Sequence, residues 1–153
     1  MSPQQSLEQS YLILFNFLLL SKRRVFTVGA DYGLSGMQTV LLVMLDSPRP
    51  MHHFKVLFNC DASNITGIVD GLEEKDLVER FSDPTDRRLK MVRLKPAGDV
   101  VRAAVLDQLT GHDTPLLSRL DADELQTFIE LLEKITAGER HCPAEGKVQH
   151  GKG

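Results

Sequence analysis

The sequence predicts a mainly α-helical protein with a small β-hairpin set directly behind a helix-turn-helix. Apolar residues recur at i, i+3, i+4 and i+7 in successive segments, the spacing of a buried helix face. Two of these segments are separated only by Asn59-Cys60-Asp61, giving short helices joined by a tight polar turn. Behind them, "LVERF", "SDPTDRR" and "LKMVRL" read as strand, turn and alternating strand.

The elements follow in order. A first helix is predicted over Ser6 to Arg24. Leu12, Ile13, Leu14, Phe15, Phe17, Leu18, Leu19 and Leu20 make it apolar nearly all round. Such a helix needs cover on several sides, which a partner subunit could supply. Ser35 and Gln38 form a capping-box pattern that starts the second helix, with Met37, Val40, Leu41 and Met44 as its stripe. Asp46 to Pro50 stops it, because proline lacks the N–H that a helix interior requires. A short helix from Pro50 buries Phe54, Leu57 and Phe58. Asp61 caps the next, whose stripe is Ile65, Ile68, Val69 and Leu72. In the hairpin, Val92 and Leu94 face inward while Met91 and Arg93 face out. A helix from Pro96 carries Val101, Ala104, Val105 and Leu109, and Gly111 to Pro115 ends it. The last helix starts at Asp121, with Glu124 completing a capping box; Leu125, Phe128, Ile129 and Leu132 form its stripe and Gly138 closes it. The polar segment 139–153 is expected to be a mobile tail.

Composition bounds the function. The 153 residues are 42% hydrophobic, enough for a core. A net charge of −3 gives no global attraction to nucleic acid, so anion binding needs a local patch. One exists: Arg87, Arg88, Lys90, Arg93 and Lys95 fall in a stretch without an acid. Cys60 and Cys142 have neither disulfide nor metal-ligand spacing, which points to a reducing cytoplasm. No basic segment precedes the apolar run Tyr11 to Leu20, which is too short for a bilayer and contains Asn16. Neither a secretory signal nor a membrane association is therefore expected.

The order helix, helix, helix-turn-helix, hairpin, helix, helix is that of a winged helix-turn-helix flanked by helices at both ends of the chain. In "LSGMQTVLLVML", "CDASNITGIVDGLEEKDLVER", "DPTDRR" and "VRLKPAG" the sequence resembles the MarR family of bacterial transcription regulators. The resemblance implies a repressor that is a homodimer held by N- and C-terminal dimerisation helices. It also implies a recognition helix in the major groove of a pseudo-palindromic double-stranded DNA operator, a wing in the adjacent minor groove, and release by a small-molecule effector. The expected divisions are 1–32 for the first dimerisation helix, 33–96 for the DNA-binding domain, 97–138 for the C-terminal dimerisation helices and 139–153 for the tail.

Matched to the family's Asp-x-Arg wing tip, Arg88 becomes the side chain inserted in the minor groove, where a narrow groove concentrates negative potential. Asp86 becomes the wing's organiser, and Arg87 and Lys90 meet phosphates. Ser63, Asn64 and Thr66, near the start of the recognition helix, contact phosphates or base edges. The sequence also departs from the family. Residues 60–72 hold no Lys or Arg, and Gly71, and to a lesser extent Gly67, stand where relatives often carry arginine. Asp76 replaces a common glycine, and "LKPAG" replaces a Leu-Thr helix start.

Other chemistries find little support. His52 and His53 are adjacent and diverge on a helix; His112, His141, Cys142 and His150 are scattered, so no metal site is expected. Cys60 reads as structural, being beside Asp61 with no neighbouring base. With no phosphate-binding glycine loop and no nucleophile elbow, neither cofactor nor catalysis is expected. The alternative to a DNA-binding regulator is a winged-helix module for protein interaction, favoured by the recognition helix without cations.

Overall fold

The computed structural model describes residues 2–111 and 116–137. It divides into two compact units, Met1–Leu116 and Leu117–Gly153.

In the first unit, α1 (Pro3–Asp31) is longer at both ends than the predicted Ser6 to Arg24. Ser2 and Gln5 form a reciprocal capping box at its start. Beyond Arg24 the apolar run fades, yet Val28 and Gly29 are buried. A Cβ on Gly29 would lie 1.8 Å from Thr39 Oγ1, so α1 continues because its backbone seats directly on α2 (Gly36–Met44). The predicted box of Ser35 and Gln38 starts α2. Its buried face differs from the predicted stripe: Thr39, Leu41, Leu42 and the following Leu45 are buried, while Met37 and Met44 are exposed. A helix this apolar offers several equivalent stripes, and packing chooses among them.

Arg49–Pro50 forms β1, an unexpected strand too short to show alternation. It pairs antiparallel with β3 (Lys90–Leu94), which pairs with β2 (Val78–Ser82). The expected hairpin is therefore part of a three-stranded sheet of order β1-β3-β2. Pro50 suits the edge, where a missing N–H is tolerated. It is also the N-cap of α3 (Met51–Leu57). Phe54 is fully buried and Phe58 packs on the core, but Leu57, expected inside, is exposed.

Asp61 caps α4 (Ala62–Glu73) by accepting from the Asn64 N–H at 3.0 Å. Ile65, Val69 and Leu72 are buried and Ile68 packs against them, as predicted. The chain leaves α4 through Asp76 at φ 61°, a left-handed turn that Asp accepts more readily than most residues. Val92 is buried and Leu94 packs inward, while Arg93 faces out. α5 (Pro96–Thr110) starts with proline in its first turn and no side-chain cap. A Cβ on Gly98 would lie 1.9 Å from the Leu77 carbonyl oxygen, which fixes α5 against the start of β2. Arg102 Nε donates to the Val43 carbonyl at 3.0 Å, placing a cation at the electronegative end of α2. Leu42, Leu45, Phe54, Val69, Leu72 and Val92 are each fully buried and join α2, α3, α4 and the sheet in one core. Each contributes roughly 1.5–3 kcal/mol of burial.

The second unit contains α6 (Ala122–Thr136), started by the predicted box of Asp121 and Glu124. No residue of α6 is buried: its expected stripe is only partly covered, and Ile129 and Leu132 are exposed. Gly138, segment 139–153 and residues 112–115 lie outside the described residues. Among the described residues, no helix is long and apolar enough to cross a membrane.

Candidate nucleic-acid interface

The turn between β2 and β3 is built by two aspartates. Asp83 Oδ1 accepts from the Thr85 N–H at 2.7 Å, the Thr85 hydroxyl at 2.5 Å and the Asp86 N–H at 3.0 Å. The Thr85 hydroxyl foremost, with these N–H groups, holds the Asp83 carboxyl below the usual carboxylate range. Asp86 Oδ1 in turn accepts from the Arg88 N–H at 3.0 Å, and its carbonyl from the Leu89 N–H at 2.9 Å. Asp86 thus organises the tip beside Arg88, but Asp83, which sequence reasoning missed, makes more of the turn's bonds. Asp followed by Pro and Thr was the available signal, since Asp folds back on backbone N–H groups in turns.

The basic cluster then separates into two parts. Arg93 Nε meets Glu79 Oε1 at 2.6 Å across the strand pair and its guanidinium lies 4.7 Å from the centre of the Phe81 ring. Lys95 pairs with Asp76, whose hydrogen bond holds the lysine above its ordinary range. Both are engaged in the fold. Lys90 Nζ reaches Ser82 Oγ at 3.2 Å, a neutral partner that leaves its charge uncompensated. Arg87 and Arg88 are exposed, and neither side chain has a hydrogen-bond or ion-pair partner among the described residues. Of the five cations in this cluster, the three expected to meet DNA are those without an ion-pair partner among the described residues.

Ser63, Asn64 and Thr66 lie exposed in the first turns of α4. Ser63 Oγ donates to Asp61 Oδ1 at 2.8 Å and Thr66 Oγ1 to the Ala62 carbonyl at 2.9 Å. The Asn64 N–H and then the Ser63 hydroxyl hold the Asp61 carboxyl below its ordinary range, so a carboxylate occupies the positive end of the helix. A phosphate approaching there would meet a like charge. Exposed Lys55 in the last turn of α3 is near enough for its charge to act on Asp61. It is a cation that sequence reasoning passed over.

Arg80 locks α4 to the sheet. Its Nε and Nη2 meet Glu73 Oε2 at 3.0 and 2.6 Å, its N–H meets Glu73 Oε1 at 2.7 Å, and Nη2 also reaches Asp70. The Glu73 bonds foremost raise Arg80 above its ordinary range. Burial would raise Glu73, but the bonds from Arg80 outweigh it and hold the carboxyl low. Asp70 is thereby turned to an internal partner. Cys60 packs against the core as a free thiol. Among the described residues, no group of three His, Cys, Asp or Glu side chains could hold a metal ion.

The MarR family model matches residues 38–90, from α2 to the first residue of β3. A protein named as transcriptional regulator for the hcr operon of Thauera aromatica is 32% identical over 119 residues, covering 77% of this chain and 70% of that protein. The chain belongs to the MarR family. BldR, a transcriptional regulator from Sulfolobus solfataricus, aligns with 26% identity and a TM-score of 0.73 over 90% of this chain and 99% of its own. A point mutant of MarR from E. coli, complexed with operator DNA, aligns with 22% identity and a TM-score of 0.64 over 88% and 99%, a likeness of fold. In this MarR-family chain α3 and α4 are the helix-turn-helix, and β2, β3 and the turn between them are the wing. Its relatives are transcriptional regulators, a role without catalysis.

Proposed function

We propose that this MarR-family transcription regulator works in the cytoplasm as a homodimer on a pseudo-palindromic duplex operator, as a repressor released by a small-molecule effector. Segment 33–96 meets DNA; segments 1–32 and 97–138 form the dimer. Arg88 enters the minor groove from the wing tip, and Arg87 and Lys90 contact phosphates. Ser63, Asn64 and Thr66 face the major groove, and Asp86 holds the tip.

The wing carries the reading. Arg93 and Lys95 are tied to acids, whereas Arg87 and Arg88 stand exposed on a turn braced by Asp83 and Asp86. A rigid tip with unpaired cations suits a polyanion. The operator-bound E. coli relative gives the same fold a duplex partner.

The deciding experiment is fluorescence-anisotropy titration of DNA flanking the protein's own gene, across a salt series, with wild type and Arg88→Ala. Saturable wild-type binding should weaken with salt. In a dimer the variant removes two cations, making the log–log slope shallower by about 2. Absence of saturable binding by a folded dimer at low salt would refute the reading. It would instead favour a winged-helix module for protein partners, which the lack of Lys and Arg in α4 also suits.

A further inference from the structure

We propose that Asn64 reads an adenine in each half-site and so favours an A·T pair at that position. This rests on the DNA-binding reading above.

The argument is a count of protons at the start of α4. Ser63 Oγ lies 2.8 Å from Asp61 Oδ1, and an ionised carboxylate only accepts, so the proton between them belongs to Ser63. Thr66 Oγ1 lies 2.9 Å from the Ala62 carbonyl oxygen, also only an acceptor, so that proton belongs to Thr66. Both hydroxyls have spent their donors inside the protein and turn only lone pairs outward. In this arrangement neither donates to guanine O6 or N7, to thymine O4, or to a phosphate. The Asn64 side-chain amide has no partner among the described residues; only its backbone N–H is used, by Asp61. It is exposed and retains both a donor and an acceptor.

Each base presents a different edge in the major groove. Guanine offers acceptors alone, and its best partner is Arg or Lys, of which α4 has none. Adenine offers an acceptor at N7 beside a donor at N6, which one amide can satisfy with two bonds. Asn64 is the third residue of α4, in the turn that meets base edges in helix-turn-helix proteins. A Cβ on Gly67, one turn further on, would meet nothing within 4 Å, so no side chain there stands between helix and groove.

The test is selection of sites from random duplexes by full-length wild type, followed by anisotropy titration of A·T→G·C changes made symmetrically in both half-sites. Wild type and Asn64→Ala are compared, with thermal unfolding checking each fold. One A·T pair should matter to wild type by about fivefold or more in affinity per half-site, and its replacement should cost Asn64→Ala nothing further. Undiminished discrimination by Asn64→Ala at every A·T pair would overturn the proposal, as would a selected half-site without adenine. Equal binding of all sequences would overturn it while leaving DNA binding intact. Absence of any DNA binding would remove the regulator reading and this inference together.

Discussion

Gly67 and Gly71 lie one turn apart on α4, and the family resemblance leads one to expect arginine at Gly71 and, to a lesser extent, at Gly67. Their surroundings differ. A Cβ at 67 meets nothing within 4 Å, whereas at 71 it would lie 2.2 Å from Gln38 Nε2. The Gln38 side chain also accepts from the Ser35 N–H in the box that starts α2. Gly67→Ala should therefore stabilise the protein by about 0.5–1 kcal/mol, through chain entropy alone. Gly71→Ala should gain less or lose stability, because Gln38 must give way. Denaturant titration checks this, and equal gains at both positions would mean that Gln38 is not held. Gly67→Arg should also restore a cation to the DNA face, raising affinity at low salt and steepening the dimer's salt slope by about 2. Some residue-level features were legible. Asp76 stands where the family commonly has glycine, and its φ of 61° is the left-handed value that glycine readily takes. The use of the Ser63 and Thr66 protons was not legible, because short polar side chains on a helix can donate inward or outward with the same sequence.

Arg80 contributes at the level of elements, by fixing how the recognition helix sits on the wing strand. Glu73 supplies most of that joint and accepts three hydrogen bonds from Arg80. Its carboxyl is held below its ordinary value of 4.5 in the fold. A depressed carboxylate stabilises the native state fully above the unfolded value, and that stability is lost as pH falls through the folded value. Glu73→Gln should thus cost about 1–2 kcal/mol at neutral pH. Between about pH 5 and 3 its melting temperature should fall less steeply than that of wild type, which calorimetry across that range measures. Parallel acid limbs would show that the pair contributes nothing to folding. Local signals made the elements legible: the boxes at Ser35 and Asp121 each lie within four consecutive residues. The Ser2 box obeys the same rule but stands outside the apolar pattern, so the start of α1 was set too late. The joint between Glu73 and Arg80 was hidden, since nothing local marks a contact made across a turn. β1 was hidden too, because two residues have no period.

On the scale of the whole molecule, net charge is negative while the wing tip carries exposed cations, and apolar surface points to assembly. Leu12 and Leu19 are 71% and 66% exposed, seven residues apart on α1 and so near one face. Neither is part of the core that joins α2, α3, α4 and the sheet. A partner copy laid along α1 would remove this surface from water, with up to roughly 1.5–3 kcal/mol from each fully covered leucine. Leu12→Asp combined with Leu19→Asp should replace that gain with the cost of burying unpaired carboxylates. Sedimentation should show a dimer for wild type and a monomer for the doubly substituted protein, with the dimer dissociation constant raised at least about 100-fold. The winged domain should remain folded, with thermal unfolding no longer dependent on protein concentration. Operator affinity should fall as well, because two half-sites would be bound by separate molecules and the gain from linking them would be lost. Arg88→Ala should give the contrasting result, weaker binding by an intact dimer. A doubly substituted protein that remains dimeric at micromolar concentration would place the dimer contact elsewhere and leave the apolar length of α1 to another partner.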